Sequence, residues 1–285
     1  MNGDGEMSGT GYIPGYTKLW GFASLAVSLI VTCTLALLVT PNAAVAGSAN
    51  KVACVKAGPQ APRDITKLAG SNAITFAKAP PAGKMKLCDI HFHKFAEHRA
   101  SGYTQLAGKG DHKGYVCNGH APKAGAQAMG GHGPATGCGG IGNGDTVEVH
   151  WVFTTCDVKP GPTLGSCFSD TCKNPQLRVE ARVFYLSDKK SAGNFSTISD
   201  YSSGRVSVPK PVGAVEYSGS TTGSGYNDGT CSPFKVTWNV SSACTPLQIA
   251  SINNWCGKDK NAFKEDHAHG VRLLVKDTKL LSPIK

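Results

Sequence analysis

Two short stretches of this 285-residue chain hold residue types at spacings suited to metal chemistry. In Asp89-Ile90-His91-Phe92-His93, strand alternation puts Asp89, His91 and His93 on one face and Ile90 and Phe92 on the other. Two imidazoles on one strand face can reach a single ion. In Glu148-Val149-His150 the same alternation sets Glu148 beside His150, while Val149 and Trp151 face away. If the two strands are neighbours, three imidazoles converge from a rigid sheet and leave a fourth position open, the arrangement of a catalytic zinc. Asp89 and Glu148 each stand two residues before an expected ligand, on its face. There each can accept the second ring N–H of a metal-bound histidine and fix its tautomer. Without a metal, such a cluster is costly to bury. An H-x-H on a strand is common by itself; the matching E-x-H strand is what turns it into a site.

The elements that must position these residues are short and alternating. Thr146 to Phe153 and Leu177 to Tyr185 show the period of two expected of strands, and Lys86 to His93 and Phe234 to Val240 are further candidates. No long stretch repeats every 3.6 residues after the N-terminal region. The expected fold is a mainly β single domain with a central twisted, largely antiparallel sheet and short helices at most. Antiparallel pairing is expected because turn-rich segments, not crossover helices, separate the strands. Gly108 to Gly144 and Lys189 to Lys210 read as loops.

The N-terminus reads as a targeting segment. Lys18 precedes an apolar run from Leu19 to Val39, followed by Pro41-Asn42 and the small-residue run Ala43 to Gly47. This is the pattern of a secretory signal over residues 1–46, cut after Ala44-Val45-Ala46. The apolar run is also long enough to span a bilayer, so an uncleaved anchor is the alternative, and the membrane is a partner only in that case. Either way residues 47–285, a length suited to one large domain, are expected to be exported, to the periplasm or outside the cell.

Of 11 cysteines, Cys33 lies in the apolar run. The other ten suit a disulfide framework in an oxidising compartment. No C-x-x-C pair points to a thiolate metal site, and the pairing stays open, with Cys167 and Cys172 only the tightest possible loop. The net charge of +10 is spread over scattered residues, with pairs such as Lys189-Lys190 but no dense run. That pattern, in an exported chain, gives a solvated face that gathers small anions and argues against a nucleic-acid partner. Oligomeric state is not written in the sequence.

Taken together, these residues resemble a known family. Asp-Ile-His-Phe-His followed by Glu97-His98, and then Glu148-Val149-His150-Trp151, is similar to the zinc pattern of the α-type carbonic anhydrases. Gly219-Ser220-Thr221-Thr222 and Lys235-Val236-Thr237-Trp238 resemble two further segments of that family, in the same order. The wording of the chain (IHFHKFAEH, GDTVEVHWVF, CDVKPGP, GSTTG, HAHGVR) looks closer still to the δ class, over roughly residues 54–275. The resemblance implies an α-carbonic-anhydrase-like sheet, a Zn2+ cofactor on His91, His93 and His150, and reversible hydration of carbon dioxide to bicarbonate and a proton. In that family zinc brings the pKa of bound water down to about 7, and the resulting hydroxide attacks CO2. The resemblance assigns Thr221 as the acceptor that orients the hydroxide, Glu97 as the residue holding Thr221, and Thr222 as a further pocket residue.

There are departures. Glu97 follows His93 by four residues, a shorter gap than in the α family. The leucine between the serine and the first threonine is missing, and Gly223-Ser224 stands where a Pro-Pro pair is usual. A proton must also leave the site, and His98 and His112 are the candidate shuttles, since free imidazole titrates near neutrality. His120 and His132 read as surface groups. His267 and His269 form a second H-x-H without an E-x-H partner, which suggests a structural or supporting role.

Two other functions fit parts of the pattern. His91-x-His93-x3-Glu97 matches the first ligand motif of a cupin, which would bind Fe or Mn for oxygenation, but Met85 and Thr104 stand where that motif wants glycine. A non-catalytic exported zinc-binding protein would show His- or acid-rich tracts, which the chain lacks. A disulfide-rich structural β domain is the plainest alternative, and it predicts no metal at His91.

Overall fold

The alternating segments form strands because their β-branched and aromatic residues cover both faces of a pleated ribbon. In chain order the strands are β1 (Val52–Ala53), β2 (Lys86–Lys94), β3 (Gln105–Ala107), β4 (Gly114–Val116), β5 (Thr146–Thr154), β6 (Leu177–Ser187), β7 (Ala214–Ser220), β8 (Thr230–Cys231), β9 (Lys235–Gln248) and β10 (His269–Gly270). The helices α1 (Phe195–Ile198) and α2 (Ile249–Trp255) are short. The computed structural model describes residues 52–54, 57–67, 69–109, 113–120, 138–223, 225–257, 259–271 and 275–284. The expected signal or anchor (1–46), His112 and His132 lie outside the described residues. Among the described residues no helix is long and apolar enough to cross a membrane.

Six strands make one mixed sheet in the order β10-β2-β5-β6-β9-β7. Its antiparallel centre, β2-β5-β6, is what the alternating pattern predicts. Two pairs depart from the antiparallel expectation: β6 runs parallel to β9, and β10 runs parallel to β2. The rule that linked strands pair antiparallel applies to hairpin neighbours. The segment between β6 and β9 contains α1, β7 and β8, which gives the chain length enough to return in the same direction.

The sheet separates two apolar cores. On one side Leu87, Ile90, Phe92, Val149, Trp151, Phe153 and Phe184 pack together. On the other lie Cys88, Val152, Val179, Ala181, Val183, Val236, Trp238 and Val240. A register shift between Leu87 and Asp89 puts an extra residue into β2. The bulge leaves Cys88 and Asp89 on the same side of the sheet, so that Cys88 bonds Cys167 while Asp89 stays in line with His91.

All ten cysteines after Cys33 are paired: Cys54–Cys231, Cys88–Cys167, Cys117–Cys244, Cys138–Cys256 and Cys156–Cys172. Five such bonds indicate an oxidising compartment.

Candidate metal centre

Register, not sequence distance, assembles the site. His91 lies directly opposite His150 across the β2–β5 pair, and His93 lies opposite Glu148. The imidazole ring centroids are 5.2 Å apart for His91 and His93, 5.1 Å for His91 and His150, and 4.9 Å for His93 and His150. One nitrogen from each ring lies within 4.8 Å of the others.

Carboxylates fix two of the three tautomers. His91 donates Nδ1–H to Asp89 Oδ2 at 2.7 Å, which leaves Nε2 for the site. His150 donates Nε2–H to Glu148 Oε1 at 3.0 Å and keeps Nδ1 for the site. The carboxylates themselves are buried, Asp89 1 % exposed and Glu148 0 %. Burial works against charge on His91, and the Asp89 carboxylate overrides it and raises its pKa. His93 is held well below the usual histidine range by burial and then by the imidazoles of His150, His91 and His269, so it stays neutral. Burial would raise the Glu148 pKa, but the His98 and His150 partners hold it well below the usual glutamate range.

Glu148 is held from four directions. Oε2 accepts the backbone N–H groups of Glu97 (2.6 Å) and His98 (3.2 Å), and Oε1 also accepts Nδ1–H of His98 at 2.8 Å. The other His98 nitrogen meets the Tyr217 hydroxyl at 2.8 Å. His98 is 0 % exposed. Both ring nitrogens of His98, the expected proton shuttle, are thus engaged, and the ring that holds Glu148 has no face to solvent. Its partner in that expectation, His112, lies outside the described residues.

The threonine assignment also changes. Glu97 Oε2 accepts a hydrogen bond from Thr222 Oγ1 at 3.1 Å, while Thr221 pairs with Ser232 Oγ at 2.5 Å. Glu97 therefore holds Thr222, not Thr221. Both threonines follow the end of β7, and Thr222 is the one whose hydroxyl reaches Glu97. The short gap between His93 and Glu97 closes through Phe95, whose φ of 68° is left-handed and rare for a residue with a side chain. Phe95 bridges to Val147 and Ala96 bridges to Tyr115, and the turn aims Glu97 back under the histidines.

The three imidazoles open onto a cavity of about 500 Å³. Val152, Leu164, Val179, Trp238 and Phe263 give it an apolar lining, and Thr222 and Glu97 also line it. Glu265, His267 and His269 line it as well. The parallel β10 pairing places His269 opposite His93, and its ring centroid lies 5.8 Å from His91 and 6.2 Å from His93. His269 Nε2 bonds Glu265 at 2.9 Å, and Glu265 also accepts from the Phe92 backbone N–H. The second H-x-H, His267 and His269, was the sign of these groups at the level of sequence. Their place at the pocket depends on a strand two residues long, which periodicity cannot detect.

The donor set suits zinc: three imidazole nitrogens from rigid strands, two with fixed tautomers, and a fourth side open to the cavity. Glu97, which a cupin would use as a ligand, instead accepts from Thr222 and is not in the metal-binding group.

A family model described as Delta carbonic anhydrase matches residues 82–251, a span that includes all three histidines, Glu97, Thr221 and Thr222. Neither a curated protein nor a solved structure matches the chain.

Proposed function

Because the chain belongs to the delta carbonic anhydrase family, we propose that it hydrates carbon dioxide reversibly at a zinc ion held by His91, His93 and His150. The observation that carries this reading is the convergence of the three imidazoles, two of them backed by buried carboxylates, on a largely apolar cavity. Bound zinc supplies Lewis-acid activation of water to a nucleophile at neutral pH.

The residues of the chain do the positioning. Asp89 and Glu148 hold His91 and His150 in the tautomers that leave one nitrogen free for the ion. His98 and Tyr217 brace Glu148 from behind. Thr222 spends its hydroxyl proton on the Glu97 carboxylate, so its oxygen can only accept a hydrogen bond from whatever stands in the cavity. It therefore favours a nucleophile that still carries a proton and turns that nucleophile's lone pair away from Thr222. Val152, Val179 and Trp238 offer an apolar surface on which carbon dioxide, a nonpolar linear molecule, loses little hydration. Thr221, tied to Ser232, lines the same cavity without that link to Glu97.

The partners in this reading are carbon dioxide and bicarbonate, without nucleic acid. The five disulfides fit an exported protein, with residues 1–46 as a signal peptide or a retained anchor.

The test is stopped-flow CO2 hydration together with metal analysis. The purified protein should carry one zinc, lose activity to a strong chelator and regain it on adding Zn2+. His150→Ala should abolish both zinc and hydration. Full zinc occupancy with hydration at the uncatalysed rate would reject the reading.

A further inference from the structure

Among the three imidazoles, His93 is the one to which no carboxylate is hydrogen-bonded. His91 Nδ1 meets Asp89 and His150 Nε2 meets Glu148, but His93 Nδ1 is buried and makes no hydrogen bond. When the pocket nitrogen of a neutral imidazole holds a metal, the other nitrogen carries the proton. An N–H buried without an acceptor is costly. A carboxylate oxygen is close: Glu97 Oε2 lies 3.9 Å from His93 Nδ1, about an ångström beyond hydrogen-bond length. It is the same oxygen that accepts from Thr222 Oγ1. Glu97 is 1 % exposed and His93 8 %, so water has little access to either group.

The geometry points to Glu97 as a shared positioning residue, whose carboxylate takes the Nδ1–H of His93 in the metal-loaded site while it continues to hold Thr222. Each imidazole then has its own carboxylate: Asp89 and Glu148 from the neighbouring position of the same strand face, Glu97 from around the left-handed turn at Phe95. The four-residue spacing matters here, because it lets one carboxylate reach back to the strand's last imidazole and forward to the threonine. Metal retention and orientation of the nucleophile become coupled through a single side chain. A carboxylate has lone pairs enough for both donors, so the added bond need not displace the first. This inference rests on the reading that the three histidines hold zinc.

The experiment measures zinc release from the loaded full-length protein to a chromophoric chelator, comparing the unsubstituted protein with Glu97→Ala, Glu97→Gln and Thr222→Val. Circular dichroism and melting of each metal-free protein check the fold. Glu97→Ala should release zinc about 10- to 100-fold faster, the usual effect of removing a carboxylate behind a metal-bound histidine. Glu97→Gln, whose amide oxygen still accepts, should fall between. Thr222→Val should slow hydration yet release zinc at the unsubstituted rate. Should the alanine variant not fold, the glutamine variant carries the comparison. A second readout is the His93 Nδ1–H resonance in 15N-histidine-labelled, zinc-loaded protein, which should shift in Glu97→Gln and stay in place in Thr222→Val. Release from both Glu97 variants at the unsubstituted rate, or equal acceleration by Thr222→Val, would overturn the inference. An unsubstituted protein that takes up no zinc would instead overturn the metal-site reading itself.

Discussion

Adjacent threonines in the pocket differ in what their hydroxyl protons are committed to. Thr222 gives its proton to Glu97 and so presents only lone pairs to the cavity, whereas Thr221 shares a hydrogen bond with Ser232. Replacing Thr222 by valine keeps the shape and removes the acceptor, and should lower the hydration rate by about 10- to 100-fold. Thr221→Val should cost less. Stopped-flow hydration by both variants, at equal zinc content, measures the difference, and a larger loss at Thr221 would restore that residue to the role its family resemblance suggests. His98 belongs to the same scale. It has no exposed atom and both nitrogens are engaged, and its link to the three imidazoles runs through Glu148. His98→Gln should therefore lower metal retention, and added imidazole buffer should not restore hydration, as it would for a lost proton shuttle.

Strand β6 carries a row of charges on the face away from Val179 and Ala181. Arg178, Glu180 and Arg182 are buried and joined in sequence: Arg178 Nε to Glu180 Oε1 at 2.6 Å and Arg182 to Glu180 Oε2 at 2.7 Å. Arg178 also reaches Glu216 on β7 at 2.7 Å, and Lys78 meets the same carboxylate at 2.9 Å. The row thus ties β6 to β7 across β9. Burial would raise the Glu216 pKa, but Lys78 and Arg178 override it and hold it below the usual glutamate range. Its folded pKa is therefore lower than its unfolded one, near 4.3. The stability it contributes is complete above about pH 4.3 and is lost as the pH falls through the lower folded value. Denaturant midpoints should show Glu216→Gln less stable than the unsubstituted protein at neutral pH. That difference should shrink at acid pH, and a difference independent of pH would refute the ion-pair account.

The described residues are cross-linked around the sheet by five disulfides. Cys54–Cys231 and Cys117–Cys244 join residues 177 and 127 apart in sequence, and Cys88–Cys167 fastens β2 beside Asp89 to the turn that carries Leu164 on the pocket wall. Long loops closed this way restrict the unfolded chain most. Replacing Cys88 and Cys167 together by serine should cost about 2–5 kcal/mol of stability, read from chemical denaturation. Peptide mapping without reductant should recover five cross-links in the pairing seen here. A Cys167–Cys172 link would contradict it.

The part legible in the sequence was local. Which residues share a face of a strand follows from the two-residue pleat period, and that is enough to group Asp89 with His91 and His93, and Glu148 with His150. It also suffices to recognise β5 and β6 within a residue or two of their ends. What the tertiary structure decided were partnerships between distant segments. Register set His91 opposite His150, the parallel return brought β9 beside β6, and a two-residue strand carried His269 to the pocket. The choice of Thr222 over Thr221 for Glu97, and of Cys88 over Cys172 for Cys167, has the same origin. A dihedral preference acts on one residue and its neighbours, whereas a contact between remote residues depends on how the whole chain closes, and no local pattern encodes it.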